Sequence, residues 1–217
     1  MDIAENIKRF KEELPKDVNL IAISKTKPPE DIFTAYQTGH RQFGENKIQE
    51  MTEKWEKLPK DIEWHMVGHV QRNKVKYMAP YVSLIHAVDS LKLLKEINKE
   101  ADKNGHSLDC LLQIKIAEED SKYGISAEEA KEILDSEEFK KLDHVNVKGL
   151  MGMATFTDDE AQVKKEFEHL KSVFEDFKKE YSNMNILSMG MSGDYKIAVD
   201  SGSNMVRIGS EIFGARN

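Results

Sequence analysis

Val18-Asn19-Leu20-Ile21-Ala22-Ile23-Ser24-Lys25-Thr26-Lys27-Pro28-Pro29 is the stretch that decides the fold. It opens as an apolar run, the pattern of a strand covered on both faces. It closes on two prolines, with no glycine anywhere in it. An open, doubly wound sheet that holds a dinucleotide would carry Gly-x-Gly-x-x-Gly directly after such a strand. Seven more short runs follow, at residues 41–44, 62–68, 82–88, 108–116, 145–151, 186–190 and 205–209. Helical stretches separate them, at 30–38, 46–58, 71–78, 90–104, 127–134, 160–181 and 194–200. Eight βα units without the fingerprint predict an α/β fold, a single (β/α)8 TIM-type barrel with an extra N-terminal helix over 3–14. The 217 residues lie near the lower end of that fold's size range, so residues 1–217 read as one domain with no room for a second.

The helical readings rest on period. Val163, Phe167, Leu170, Phe174 and Phe177 step by three and four, one apolar helix face. A stripe of this kind is core packing. Asp158 or Asp159 can cap that helix, with Glu160 and Glu166 near its positive end. Leu91, Leu94, Ile97 and Ala101 repeat the pattern in the helix over 90–104.

Composition excludes several classes of function. With 39% hydrophobic and 33% charged residues, the chain reads as globular rather than disordered. A net charge of −7 argues against nucleic acid as a partner, because phosphate backbones need a basic surface. One cysteine, Cys110, cannot form an internal disulfide, and it sits in an apolar run as a small hydrophobe. No oxidising compartment is needed, which points to the cytoplasm. Residues 1–15 carry Asp2, Glu5, Glu12 and Glu13, unlike a signal peptide. No apolar run approaches the roughly 18 residues of a membrane span, so no membrane role is expected.

Chemistry in such a barrel sits where strands end. Lys25 follows an all-apolar strand, and a lysine among apolar walls loses charge stabilisation, which frees its amine to attack an aldehyde. A strand-end lysine that simply snorkels into solvent is the plainer reading. Lys27 has the same parity but abuts the prolines. Gly190, Ser192, Gly193, Gly209 and Ser210 crowd the last two strand ends, where these barrels bind phosphate, although ordinary turn chemistry uses the same residues. Arg207 lies inside the eighth run, between Val206 and Ile208, and must have a partner there. That partner is either a structural salt bridge or a ring nitrogen. His65 and His69 lie on and just past a strand with no third ligand at a recognisable spacing, so no metal is expected. Glu45, Asn46 and Gln49 are assigned hydrogen bonding at the mouth and a helix cap.

Six stretches together carry a resemblance: residues 22–28 (AISKTKP), 41–46 (RQFGEN), 64–71 (WHMVGHVQ), 149–151 (GLM), 187–192 (LSMGMS) and 206–214 (VRIGSEIFG). In this order they resemble the pyridoxal phosphate homeostasis proteins, the YggS/PROSC-like family, related to the barrel domain of alanine racemase. The resemblance spans nearly the whole chain. It implies pyridoxal 5′-phosphate as cofactor, held as a Schiff base on Lys25. It implies Arg207 facing the pyridine nitrogen, Asn46 near the ring, and Ser192, Gly209 and Ser210 around the phosphate, with His69 a weaker candidate. Lys47 departs from the aromatic residue common after the asparagine, and Gly193 from its usual neighbours; neither carries an assigned role.

Two functions share this site. One is a cofactor carrier and buffer, a monomer whose partners are the cofactor and apo-enzymes that use it. The other is an amino-acid racemase or decarboxylase on the same barrel. A racemase also needs a base on the opposite ring face, which the related enzymes draw from a further domain. Asn217 follows Gly209 closely, so that domain is not expected here, and the carrier is the expectation.

Overall fold

Most strands are apolar on both sides because they are covered on both sides. The computed structural model describes residues 2–118 and 123–215. In chain order they form α1 (Ile3–Glu13), β1 (Asn19–Ile23), α2 (Pro29–Gln37), β2 (Gln42–Glu45), α3 (Ile48–Lys57) and β3 (Glu63–Met66). A 3-10 turn, Arg72–Lys74, leads into α4 (Val75–Met78), β4 (Val82–Val88), α5 (Leu91–Lys103), β5 (Leu108–Gln113) and α6 (Ala127–Asp135). A second 3-10 turn, Phe139–Lys141, precedes β6 (Val145–Met151), α7 (Glu160–Glu180), β7 (Ile186–Met191), α8 (Tyr195–Asp200), β8 (Met205–Ile208) and α9 (Ser210–Phe213). The strands form a closed barrel in sequence order, and β8 pairs in parallel with β1, placing Ile21 opposite Arg207.

Alternation along the strands sorts side chains into two layers. Ile21, Leu84, Ala87, Leu111, Met151 and Met205 fill the barrel interior. Ala22, Phe43, Trp64, Val206 and Ile208 face outward into the larger layer under the helices. The α7 stripe Val163, Phe167, Leu170, Phe174 and Phe177 is buried in that layer, each such side chain stabilising the fold by about 1.5–3 kcal/mol. Cys110 is buried too, and burial pushes its thiol pKa up. Caps set where helices begin. Asp159 accepts the Ala161 and Gln162 amides, Ser90 accepts the Leu93 amide, and Ser126 and Glu129 form a reciprocal capping box.

Several elements differ from the sequence expectation, among them the third strand, expected over 62–68 and ending at Met66. The helix expected over 71–78 is a 3-10 turn plus one helical turn, because exposed Arg72 and Asn73 and half-buried Lys74 give its start no apolar face and Pro80 stops it. The fifth strand stops at Gln113: the Ile114 amide still donates to the Met151 carbonyl at 2.8 Å, but its bridge partner is Ile125. The second strand runs to Glu45 and α3 starts only at Ile48, with Lys47 at the N-cap and no capping side chain. Asn46 is therefore not a helix cap. Among the described residues no helix is long and apolar enough to cross a membrane.

Candidate functional site

The residues singled out by sequence lie at the C-terminal ends of β7, β8, β1 and β2, which are consecutive neighbours around the barrel. Lys25 sits in the turn after β1, half-buried, with the inward parity of Ile21 and Ile23. Lys27 is committed elsewhere: its Nζ donates to the Ala215 carbonyl at 2.9 Å. Asn46 follows β2 directly, and its backbone lies against Gly68, where a Cβ would come within 2.3 Å of the Asn46 carbonyl. The Gly209 amide donates to Ser192 Oγ at 3.2 Å, tying the β7 and β8 ends together. Ser210 is exposed and opens α9, whose first amides have no acceptor within the helix.

Arg207 projects into the barrel and is 4% exposed. Its partners are neutral: Nη1 donates to Ser188 Oγ at 2.6 Å and Nη2 to the Gly152 carbonyl at 3.1 Å. The structural salt bridge that the sequence left open is thus not what holds it. Burial lowers its pKa to about 10, so it remains a cation at neutral pH, with N–H groups beyond the two that described residues accept.

Behind Ser188 runs a polar chain that crosses the barrel. His86 Nδ1 lies 3.0 Å from Ser188 Oγ, and His86 Nε2 lies 3.0 Å from His65 Nδ1. All three side chains are buried. The direction of the chain follows from its end. Arginine can only donate, so Ser188 Oγ accepts from it. Among the described residues the hydroxyl meets no other acceptor, so its own proton goes to His86 Nδ1. His86 then carries its proton on Nε2 and donates to His65, which is left protonated on its own Nε2. Burial drops the His65 pKa to about 3 and the His86 pKa well below its usual value, with His65 and Arg207 adding to the latter.

Nitrogen-15 spectra should therefore show His65 and His86 as neutral Nε2–H tautomers from pH 8 to pH 5. A titrating ring or an Nδ1–H signal would reverse the chain. Stability follows the same sign. Below pH 6.5 the unfolded chain takes up protons that the folded His65 refuses. Its contribution is present above pH 6.5 and is lost on the way down towards pH 3, by at most about 1.4 kcal/mol per pH unit for one histidine.

Sequence reasoning missed Ser188 and His86, although each is a polar residue inside an apolar strand, the signal that singled out Arg207. It also placed Glu45 at the mouth. Phe43 faces outward, and Glu45 shares its parity. Glu45 is buried between sheet and α3, where Lys54 Nζ is 2.7 Å from its Oε1. Gln49 is exposed and pairs with Glu53. His69 stacks on Tyr123 and lies 3.7 Å from Asp89, while His65 points to His86, so the two do not converge.

A family model described as alanine racemase, N-terminal domain, matches residues 1–217. A pyridoxal phosphate homeostasis protein of Pasteurella multocida (strain Pm70) is 40% identical over 205 residues, covering 92% of this chain and 87% of its own. Its counterpart in Escherichia coli (strain K12) is 33% identical, with 100% and 97% covered. The structure of PipY from Synechococcus elongatus PCC7942 with PLP bound matches at a TM-score of 0.90 and 32% identity, covering 98% of this chain and 100% of PipY. An alanine racemase of Clostridium difficile 630 shares the fold at a TM-score of 0.80 and 17% identity, and this chain covers 56% of it. Matched along its whole length by the family model and over nine-tenths or more by these relatives, the chain belongs to the alanine racemase N-terminal domain family, among the pyridoxal phosphate homeostasis proteins.

Proposed function

We propose that this chain binds pyridoxal 5′-phosphate in the barrel mouth, attaches it covalently at Lys25, and serves as a carrier and buffer of the cofactor rather than as a catalyst. In this reading residues 1–217 act as one cofactor-binding domain, a monomer in the cytoplasm that hands its load to apo-enzymes. The observation that carries it is Arg207: a buried cation, aimed by neutral partners, with donors left over. The Asp194 carboxylate acts on this charge without a salt bridge to it, and a buried charge hydrogen-bonded only to neutral groups is costly, so an electron-rich acceptor would offset that cost.

The donor set fits the cofactor. When bound, it supplies an aldehyde that condenses with a neutral amine and releases one water. Lys25 offers the amine at an inward strand end. Ser192 and Ser210 offer hydroxyl donors for the phosphate on the neighbouring strand ends, the Gly209 amide holds Ser192 Oγ in place, and Asn46 stands at the end of β2. Arg207 donates and does not surrender its proton at neutral pH. An acceptor nitrogen opposite it stays unprotonated, which weakens the ring's capacity to absorb a carbanion's charge. Racemisation on such a ring depends on a second, well-placed base, whereas storage does not.

The test is to incubate the loaded protein with L- and D-amino acids in deuterated water and to mix it separately with an apo-enzyme that needs the cofactor. The expected result is no α-proton exchange, with cofactor transfer faster than spontaneous release. Rapid exchange at one amino acid, lost in Lys25→Ala, would restore the enzyme reading.

A further inference from the structure

The turn that carries Lys25 is gripped from behind the sheet by a single buried amine. Lys54, on α3, is 5% exposed. Its Nζ lies 2.8 Å from the Ser24 carbonyl, 2.7 Å from Glu45 Oε1 and 2.6 Å from Glu50 Oε1. A lysine ammonium has three N–H donors, and three acceptors meet them. Both acceptor carboxylates then reach back to the turn. Glu45 Oε1 accepts the Ser24 hydroxyl at 2.6 Å, and Glu50 Oε1 accepts the Thr26 amide at 2.6 Å. The residues on either side of Lys25 are thus fixed through one hub, while the Ser24 carbonyl also accepts the Lys27 amide at 3.0 Å.

Two details argue that this is more than a tie between helix and sheet. Thr26 has φ of 65°, a left-handed conformation that a β-branched residue avoids. The bond from its amide to Glu50 is in place to hold it there. Glu45 Oε2 is buried and meets no hydrogen-bond donor among the described residues, an arrangement that packing alone would not favour. Burial raises the Glu45 pKa, against the pull of Lys54. The cluster lies on the outward face of β1 and β2, whereas Lys25 has inward parity.

We propose that Lys54 is a positioning residue for Lys25: by holding the Ser24 carbonyl and the Glu45 and Glu50 carboxylates, it fixes the Ser24–Thr26 turn and so aims the Lys25 amine into the barrel mouth. The inference rests on Lys25 being the attachment residue. Lys54 lies behind the sheet with its three donors committed, so its loss should spare noncovalent binding and slow capture.

The experiment compares wild type, Lys54→Met, Lys54→Arg and Glu50→Ala. Capture of pyridoxal 5′-phosphate is stopped with borohydride at timed intervals and mapped by peptide. Affinity for pyridoxamine 5′-phosphate, which has no aldehyde, reads the remaining contacts. Hydrogen exchange at the Thr26 amide, measured without ligand, reads the turn. Lys54→Met should slow capture at Lys25 by about tenfold or more, the scale expected for a reacting group displaced by a fraction of an ångström. Its pyridoxamine 5′-phosphate affinity should hold, and Lys54→Arg should recover part of the rate. Glu50→Ala keeps the buried Lys54–Glu45 pair and should speed Thr26 exchange with a smaller loss of capture. Labelling of another lysine in wild type would overturn both this inference and the attachment reading. Equal capture at Lys25 in wild type and Lys54→Met, or a fall in both capture and pyridoxamine 5′-phosphate affinity, would overturn this inference alone. If Lys54→Met does not fold, unchanged capture and unchanged Thr26 exchange in Glu50→Ala would overturn it as well.

Discussion

Lys25→Ala protein is expected to retain no borohydride-stable cofactor while keeping its fold. The covalent label should vanish rather than diminish, because the nearby alternative is not poised to replace it: the Lys27 amine is held by the Ala215 carbonyl at 2.9 Å. The fold should survive because the turn is built from other groups. Ser24 is held by Glu45 and Lys54, Thr26 by Glu50, and the Ser24 amide donates to the Gly44 carbonyl at 3.0 Å. None of these bonds uses the Lys25 side chain. Mass spectrometry of peptides after reduction decides the matter, with far-ultraviolet circular dichroism as the check on folding. A label on Lys27 in wild type, with Lys25 unmodified, would sink the assignment.

The barrel was readable because a parallel strand buried on both faces leaves an unbroken apolar run. Where the run has clear ends the bounds agree to the residue, as in β4 (Val82–Val88) and β6 (Val145–Met151). Where amphipathic pattern is weak the reading failed, as at Arg72–Lys74. The site was legible only one residue at a time. Arg207 stood out as a charge inside an apolar strand, whereas Ser188 and His86, polar and uncharged, carry the same signal more weakly. The contact between His86 and Ser188 joins residues 102 apart in the chain, and nothing local marks it. Glu45 shows the complementary failure. Ending the strand one residue early hid its parity, and a one-residue shift exchanges the mouth of the barrel for the back of the sheet.

Pyridoxamine 5′-phosphate should bind far more tightly than pyridoxamine. Neither carries an aldehyde, so Lys25 contributes equally to both and the difference belongs to the phosphate. The proposed cup is where β7 and β8 end. There the Gly209 amide donates to Ser192 Oγ at 3.2 Å, which holds that hydroxyl with its own proton still to give, and the Ser210 and Glu211 amides open α9 without an acceptor in the helix. A Cβ on Gly209 would come to 3.3 Å from the Ile23 Cβ and carbonyl oxygen, so the bare backbone keeps β8 close to the strand that leads into Lys25. Donors fixed in this way need little reordering to receive an anion. A hydrogen bond to a charged group contributes about 1.5–3 kcal/mol, so two of them amount to about 3–6 kcal/mol, or roughly 10²- to 10⁴-fold in affinity. Ser192→Ala and Ser210→Ala should each narrow the gap by weakening the phosphate ester alone, leaving pyridoxamine unaffected. Inorganic phosphate should compete with the ester and not with pyridoxamine. Titrations giving equal affinities for the two ligands, or a gap that both serine variants leave intact, would place the phosphate somewhere other than the ends of β7 and β8.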